Sequence, residues 1–122
     1  NTEKDNRLYS LIANAEEKIN RIEYVESEEG TWVANKGQKM GICLKNNKGI
    51  MYDDNVLRYV LMHELSHIIS PEYVAENHED SPIFMEIFKH IIEVTSNTGK
   101  YKKIDYSKNP INYCGIILQD NL

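Results

Sequence analysis

Asp53-Asp-Asn-Val-Leu-Arg-Tyr-Val-Leu-Met-His63-Glu64-Leu-Ser-His67-Ile-Ile-Ser70 is the stretch whose reading decides the fold. Val56, Leu57, Val60, Leu61, Leu65, Ile68 and Ile69 recur every three or four positions, which predicts a helix with a broad apolar face. Asp53, Asp54 or Asn55 can cap its start. Pro71 disfavours helical geometry at Ser70, so the helix should stop there. Within it, His63-Glu64-Leu65-Ser66-His67 matches H-E-x-x-H. Helix positions four apart lie one turn above each other, offset by roughly 40°. Two imidazoles so placed can point at one ion.

Working outward, residues 6–24 carry Leu8, Leu11, Ile12, Ala15, Ile19 and Ile22 at helical spacing. That predicts an amphipathic helix ended by the acidic stretch Glu26-Ser-Glu-Glu-Gly30. From residue 31 the period becomes two. Thr31-Trp-Val33 reads as a short strand, and Met40, Ile42 and Leu44 alternate with Gly41, Cys43 and Lys45. Gly41 is a weak strand former, which suggests an edge or a close backbone approach. Asn46-Asn-Lys-Gly49 is a turn, and Ile50-Met-Tyr52 reads as the returning strand. Residues 71–81 are polar and turn-like, and Ser81-Pro82 opens a helix carrying Ile83, Phe84, Ile87, Phe88 and Ile91 on one face. Asn97-Thr-Gly99 ends it, leaving an irregular tail. The expected fold is α+β and zincin-like. It has an N-terminal helix, a small three-stranded sheet, the motif helix, a third helix and a wrapped C-terminal tail, all in one domain over residues 1–122.

Zinc suits imidazole ligands, and a catalytic zinc site keeps one position open for water. His63 and His67 are therefore candidate metal ligands. Glu64, beside the open position, is the candidate catalytic base. A helix this apolar partly buries its polar residues, and burying Glu64 without a partner would be costly. A third ligand is needed. His78 lies eleven positions beyond His67, where a turn can return it to the metal. Glu86, on the next helix, is the rival, and Glu79 and Asp80 are weaker ones. His90 shares a helix face with Glu86 and Glu93 and reads either as a supporting group or as an exposed helix residue. Tyr106 and Tyr113 in the tail can supply an oxyanion donor or simply close the core. Cys114 is a remote candidate for a fourth ligand.

The 122 residues are 41% hydrophobic and 27% charged, ordinary for a globular domain, and no apolar run is long enough for a membrane span. No secretory-signal pattern opens the sequence. Cys43 and Cys114 are the only cysteines, too few for a disulfide-built scaffold, and both read as reduced thiols of an intracellular protein. A net charge of −5 argues against a dedicated nucleic-acid binder. Yet Lys36, Lys39, Lys45 and Lys48 stand in an acid-free stretch, and Lys100, Lys102, Lys103 and Lys108 face Asp105 alone. These are either solvated loops or a cationic rim allowing weak nucleic-acid contact.

The run His63-Glu-Leu-Ser-His67, followed by a short loop, His78 and Phe84, resembles the SprT and WLM class of minimal zincins. The chain is similar above all to compact WLM-like proteins of large DNA viruses. The likeness extends to Ile42-Cys-Leu44, Tyr52-Asp53, Asp105-Tyr106, Asn109-Pro110 and Tyr113-Cys-Gly115. The resemblance implies His63, His67 and His78 as zinc ligands and Glu64 as the catalytic acid and base. Five residues separate His78 from Phe84, wider than is usual in that class, which keeps Glu86 open. The implied function is a zinc-dependent peptidase acting on protein or peptide substrate, with DNA-bound or crosslinked protein as a substrate class. A monomer without membrane contact is expected, in the host cytoplasm or the virion. Two other readings remain: a noncatalytic module stabilised by zinc, and a metal-dependent hydrolase of a non-peptide amide.

Overall fold

The computed structural model describes residues 2–34, 38–70 and 82–119, with side chains described from Leu8 onward. Among these residues three helices and five short strands follow one another as α1 (Thr2–Asn20), β1 (Glu23–Glu26), β2 (Trp32–Ala34), β3 (Lys39–Ile42), α2 (Asp54–Ile69), α3 (Pro82–Asn97), β4 (Ile111–Tyr113) and β5 (Ile116–Leu118). The α+β class expected from the sequence holds.

Helix α2 is the centre of the molecule because it has apolar residues on several faces. Leu61, Leu65 and Ile68 meet the sheet through Met40, Val33 and Ile42, with Ile22 joining the same cluster. Val56, Tyr59, Val60 and Met62 pack with Phe84, Phe88 and Ile92 of α3 and with Tyr101, Tyr106, Tyr113 and Leu118 of the tail. Ile69, at the end of α2, joins Ile83 and Ile87 against Leu8 and Ala15 of α1. The helix starts where the sequence suggests, with the Asp53 carboxylate accepting from the Asn55 amide at 3.0 Å. It stops at Ser70, whose backbone is extended.

The sheet has three strands, as expected, but not the expected three. Its order is β1-β3-β2, with β1 parallel and β2 antiparallel to β3. Strand β1 lies in Glu23-Tyr-Val-Glu26, a segment read from sequence as the end of the first helix. Only Val25 is half-buried there, so the two-residue period has almost nothing to mark it. Ile50-Met-Tyr52 contributes no full strand: the turn forms, with the Asn46 amide donating to the Ile50 carbonyl, but pairing is limited to a Lys45–Met51 bridge. Strand β3 is central, so Gly41 does not mark an edge. It pairs with Trp32, whose indole lies where a side chain would stand: a Cβ on Gly41 would come within 2.2 Å of the ring. The Trp32 indole N–H donates to Ser27 Oγ at 3.1 Å, fixing the ring over the glycine.

The tail is more ordered than its composition suggests. Strands β4 and β5 form a hairpin closed by Cys114 and Gly115, with φ of 43° and 84°. Positive φ at both central residues is what a type I′ turn requires. The cysteines are paired: Cys43, at the end of β3, is disulfide-bonded to Cys114 across 71 residues. The expectation of reduced thiols, drawn from counting cysteines, is therefore corrected. A count carries no information on proximity, and the fold brings the two Cα atoms to 6.6 Å. Closing a loop of this length constrains the unfolded chain by about 4 kcal/mol in the chain-entropy account.

The Trp32–Gly41 contact makes Gly41→Ala destabilising by about 1–3 kcal/mol, because the added methyl must displace the indole. Urea unfolding should show a lower midpoint with an unchanged slope. Adding Trp32→Ala in the same chain should remove most of the further cost of the methyl.

Candidate metal centre

Two turns before its end, α2 turns three polar side chains to one place. His63, Glu64 and His67 bring one ligand atom each within 4.8 Å of one another. The helix fixes this geometry, since positions 63 and 67 are stacked and position 64 is the next residue round the axis. The two imidazole centroids are 4.8 Å apart with the rings at 88°. His67 is buried, and the side chains of His63 and Glu64 keep 27% and 15% of their exposure. Solvent thus reaches the group from the His63 and Glu64 side. Glu64 Oε1 lies 3.3 Å from His63 Nδ1.

Helix α3 supplies the wall. The Phe84 ring stacks on His67 at 4.4 Å and 25°, and meets His63 edge-on at 5.5 Å. Phe88 meets His63 at 5.3 Å. These contacts hold both imidazoles in place and give them an apolar backing. Within the motif, Ser66 is fully buried, and its hydroxyl donates to the Met62 carbonyl at 2.7 Å. That bond lets a polar residue occupy a dry helix face.

Three of the sequence-derived candidates, His63, Glu64 and His67, come together as expected. His78, with Glu79 and Asp80, lies outside the described residues. Glu86 does not join the group. On α3 it stands two positions from both Phe84 and Phe88, about 200° round the helix from the face that meets the imidazoles. His90 packs its ring edge-on against Tyr9 of α1 at 5.3 Å, so it belongs to the α1–α3 contact. Cys114 is held in the disulfide and offers no thiolate to a metal.

The two tail tyrosines close the core, but not with hydroxyls in water. Tyr106 is fully buried against Tyr59 at 4.9 Å. Tyr113 donates to the Cys43 carbonyl at 2.7 Å and lies 2.5 Å from Thr31 Oγ1. Burial pushes both phenols up from their ordinary range, and the nearby Glu64 adds a small upward push at Tyr113. The Phe88 contact with His63 is the feature sequence reasoning missed: the helical stripe marked Phe88 as buried without saying what it covers.

Of the two lysine-rich segments, the second has its backbone tied to α2. The carbonyls of Lys100 and Lys102 accept from Arg58 and from Asn55 at the start of α2. His63 is eight residues further on, about 12 Å along the axis. Lys39 pairs with Glu23 at 3.7 Å.

The chain is similar to an uncharacterized protein of Acanthamoeba polyphaga mimivirus, with 32% identity over 93 residues. The match covers 75% of this chain and 45% of that protein, so the chain spans less than half of its relative's length. This agrees with the expected kinship to large DNA viruses. No family profile matches the chain, and no solved structure matches it. Among the described residues, no helix is long and apolar enough to cross a membrane.

The donor set fits a divalent metal: two imidazole nitrogens and a carboxylate converge within 4.8 Å in a partly dry recess. Metal affinity should therefore fall more than about 100-fold in His63→Ala and in His67→Ala, beyond the usual effect of outer-shell changes. Glu86→Ala should bind as the parent does. Calorimetric zinc titration of the purified protein checks all three.

Proposed function

We propose that the protein is a zinc-dependent peptidase in which His63, His67 and His78 hold the metal and Glu64 is the general base. The observation that carries this reading is the convergence of His63, Glu64 and His67 in a recess backed by Phe84 and Phe88. A bound zinc supplies Lewis acidity, acidifying a water nucleophile and polarising the substrate carbonyl. The Glu64 carboxylate takes the proton of that water and passes it to the leaving amine. Its residual exposure leaves it within reach of solvent, and the His63 ring beside it holds its position. The phenyl wall on α3 excludes water from the far side of the imidazoles, which strengthens electrostatic effects at the recess.

A purely structural zinc site would have no use for a carboxylate standing beside the two imidazoles. The base favours hydrolysis over the noncatalytic module. Glu64→Gln should keep zinc and the fold but lose peptide hydrolysis, because the amide cannot take a proton. His78→Ala should lose zinc. Substantial turnover by a fully metallated Glu64→Gln protein would refute the assigned mechanism.

The substrate class that the SprT and WLM likeness suggests is protein bound or crosslinked to DNA. Its support here is the lysine segment 100–103, whose backbone is tied to Asn55 and Arg58 of α2. Single-stranded DNA should then stimulate cleavage of a DNA-bound protein at low salt and lose effect as salt rises, through counterion release. Replacing Lys100, Lys102 and Lys103 together should abolish the stimulation while hydrolysis of a short free peptide continues. No stimulation at any salt would remove DNA-bound protein as the substrate class.

A further inference from the structure

We propose that the Cys43–Cys114 disulfide is a reducible clasp that holds the β4–β5 hairpin on the body of the protein and releases it when a dithiol reductant acts. The clasp does not depend on the peptidase reading.

Three features point to a releasable bond. The first is the backbone at Cys114. With φ of 43°, it is the one non-glycine residue of positive φ among the described residues, in a turn position that favours Asn or Gly. A cysteine there is locally disfavoured, and the cross-link to Cys43 is the contact its side chain makes in return. The second is an asymmetry of access. Cys43 is fully buried, whereas Cys114 is half-buried and lines an open cleft with Gly115, Asn112, Tyr52, Lys45 and Asn46. A thiolate can approach Cys114 from that cleft. The third is the exposure of the hairpin's outer face and the placing of much of its attachment beside the disulfide. Among the described residues the hairpin pairs with no further strand, and it exposes Ile116 and Ile117 at 58% and 60%. Its other ties are the Tyr113 hydroxyl to the Cys43 carbonyl and to Thr31 Oγ1, the Cys114 amide to the Tyr52 hydroxyl at 2.9 Å, the Tyr52–Tyr113 ring contact, and the packing of Ile111, Tyr113 and Leu118. The bonds to the Cys43 carbonyl and from the Cys114 amide lie at or next to the disulfide, so the turn at Cys114 and Gly115 is the part of the hairpin that the cross-link holds most directly.

The exchange balances with an external dithiol. One thiolate of the reductant attacks Cys114 Sγ and displaces the Cys43 thiolate, forming a mixed disulfide between reductant and Cys114. The second thiol of the reductant then attacks its own sulfur in that mixed disulfide and displaces the Cys114 thiolate. Two electrons and two protons pass to the protein, and the reductant leaves as its cyclic disulfide. Released, the hairpin turn leaves one wall of the cleft free to move.

The test is amide hydrogen exchange on the full chain, oxidised and after treatment with excess dithiothreitol, alongside thiol counting in denaturant. The oxidised protein should show no free thiol and slow exchange at residues 111–118. Reduction should yield two thiols and speed exchange there at least tenfold, with α2 and α3 unchanged. Cys43→Ala/Cys114→Asn, whose Asn suits the positive φ, should match the reduced protein with or without reductant. Free thiols in protein purified without reductant, hairpin exchange indifferent to reduction, or loss of protection throughout the chain on reduction would each overturn the clasp. A double variant as protected as the oxidised parent would do the same.

Discussion

Everything in this fold is arranged around the burial of α2. A helix with apolar residues toward the sheet, toward α3 and the tail, and toward α1 must be enclosed on several sides, and each other element supplies one side. Burial of that extent makes its polar residues expensive, since an unpartnered buried polar group costs free energy that the apolar contacts must offset. Ser66 meets the demand with its bond to the Met62 carbonyl. His63, Glu64 and His67 meet it differently, by clustering with one another against two phenyl rings. Polar groups that converge in this way, on one face of an otherwise apolar helix, are what a metal recess requires.

The same enclosure ties the recess to distant parts of the chain. Phe84 and Phe88, which back the imidazoles, share a cluster with Tyr113 and Leu118 of the tail hairpin. Tyr113 in turn bonds the carbonyl of Cys43, whose sulfur is joined to the hairpin turn. The β4–β5 hairpin and the central strand thus meet behind the helix that carries the donors.

What the sequence made legible follows from how strongly each element marks itself. Helix α2 was readable to its caps because Asp53 and Pro71 punctuate a long apolar repeat, and the H-E-x-x-H spacing placed the three donors without any structure. Strand β1 was not readable, because Glu23-Tyr-Val-Glu26 owes its form to pairing with β3 rather than to its own pattern. The tail hairpin hid for a related reason: its turn uses Cys114 where Asn or Gly would have announced it. The disulfide was misread because proximity across 71 residues is a property of the fold. The face that α3 turns to the imidazoles could not be read from sequence, because the helical stripe marks Phe84 and Phe88 as buried without saying what they cover.

The central claim is that the partly buried trio on α2 is a metal site. Anomalous diffraction at the zinc edge, on crystals of the protein grown with one equivalent of zinc, tests it most directly. The account predicts a single strong peak within coordination distance of both the His63 and the His67 imidazoles, with Glu64 beside it. Zinc bound elsewhere on the chain, with no anomalous density between those two rings, would contradict it.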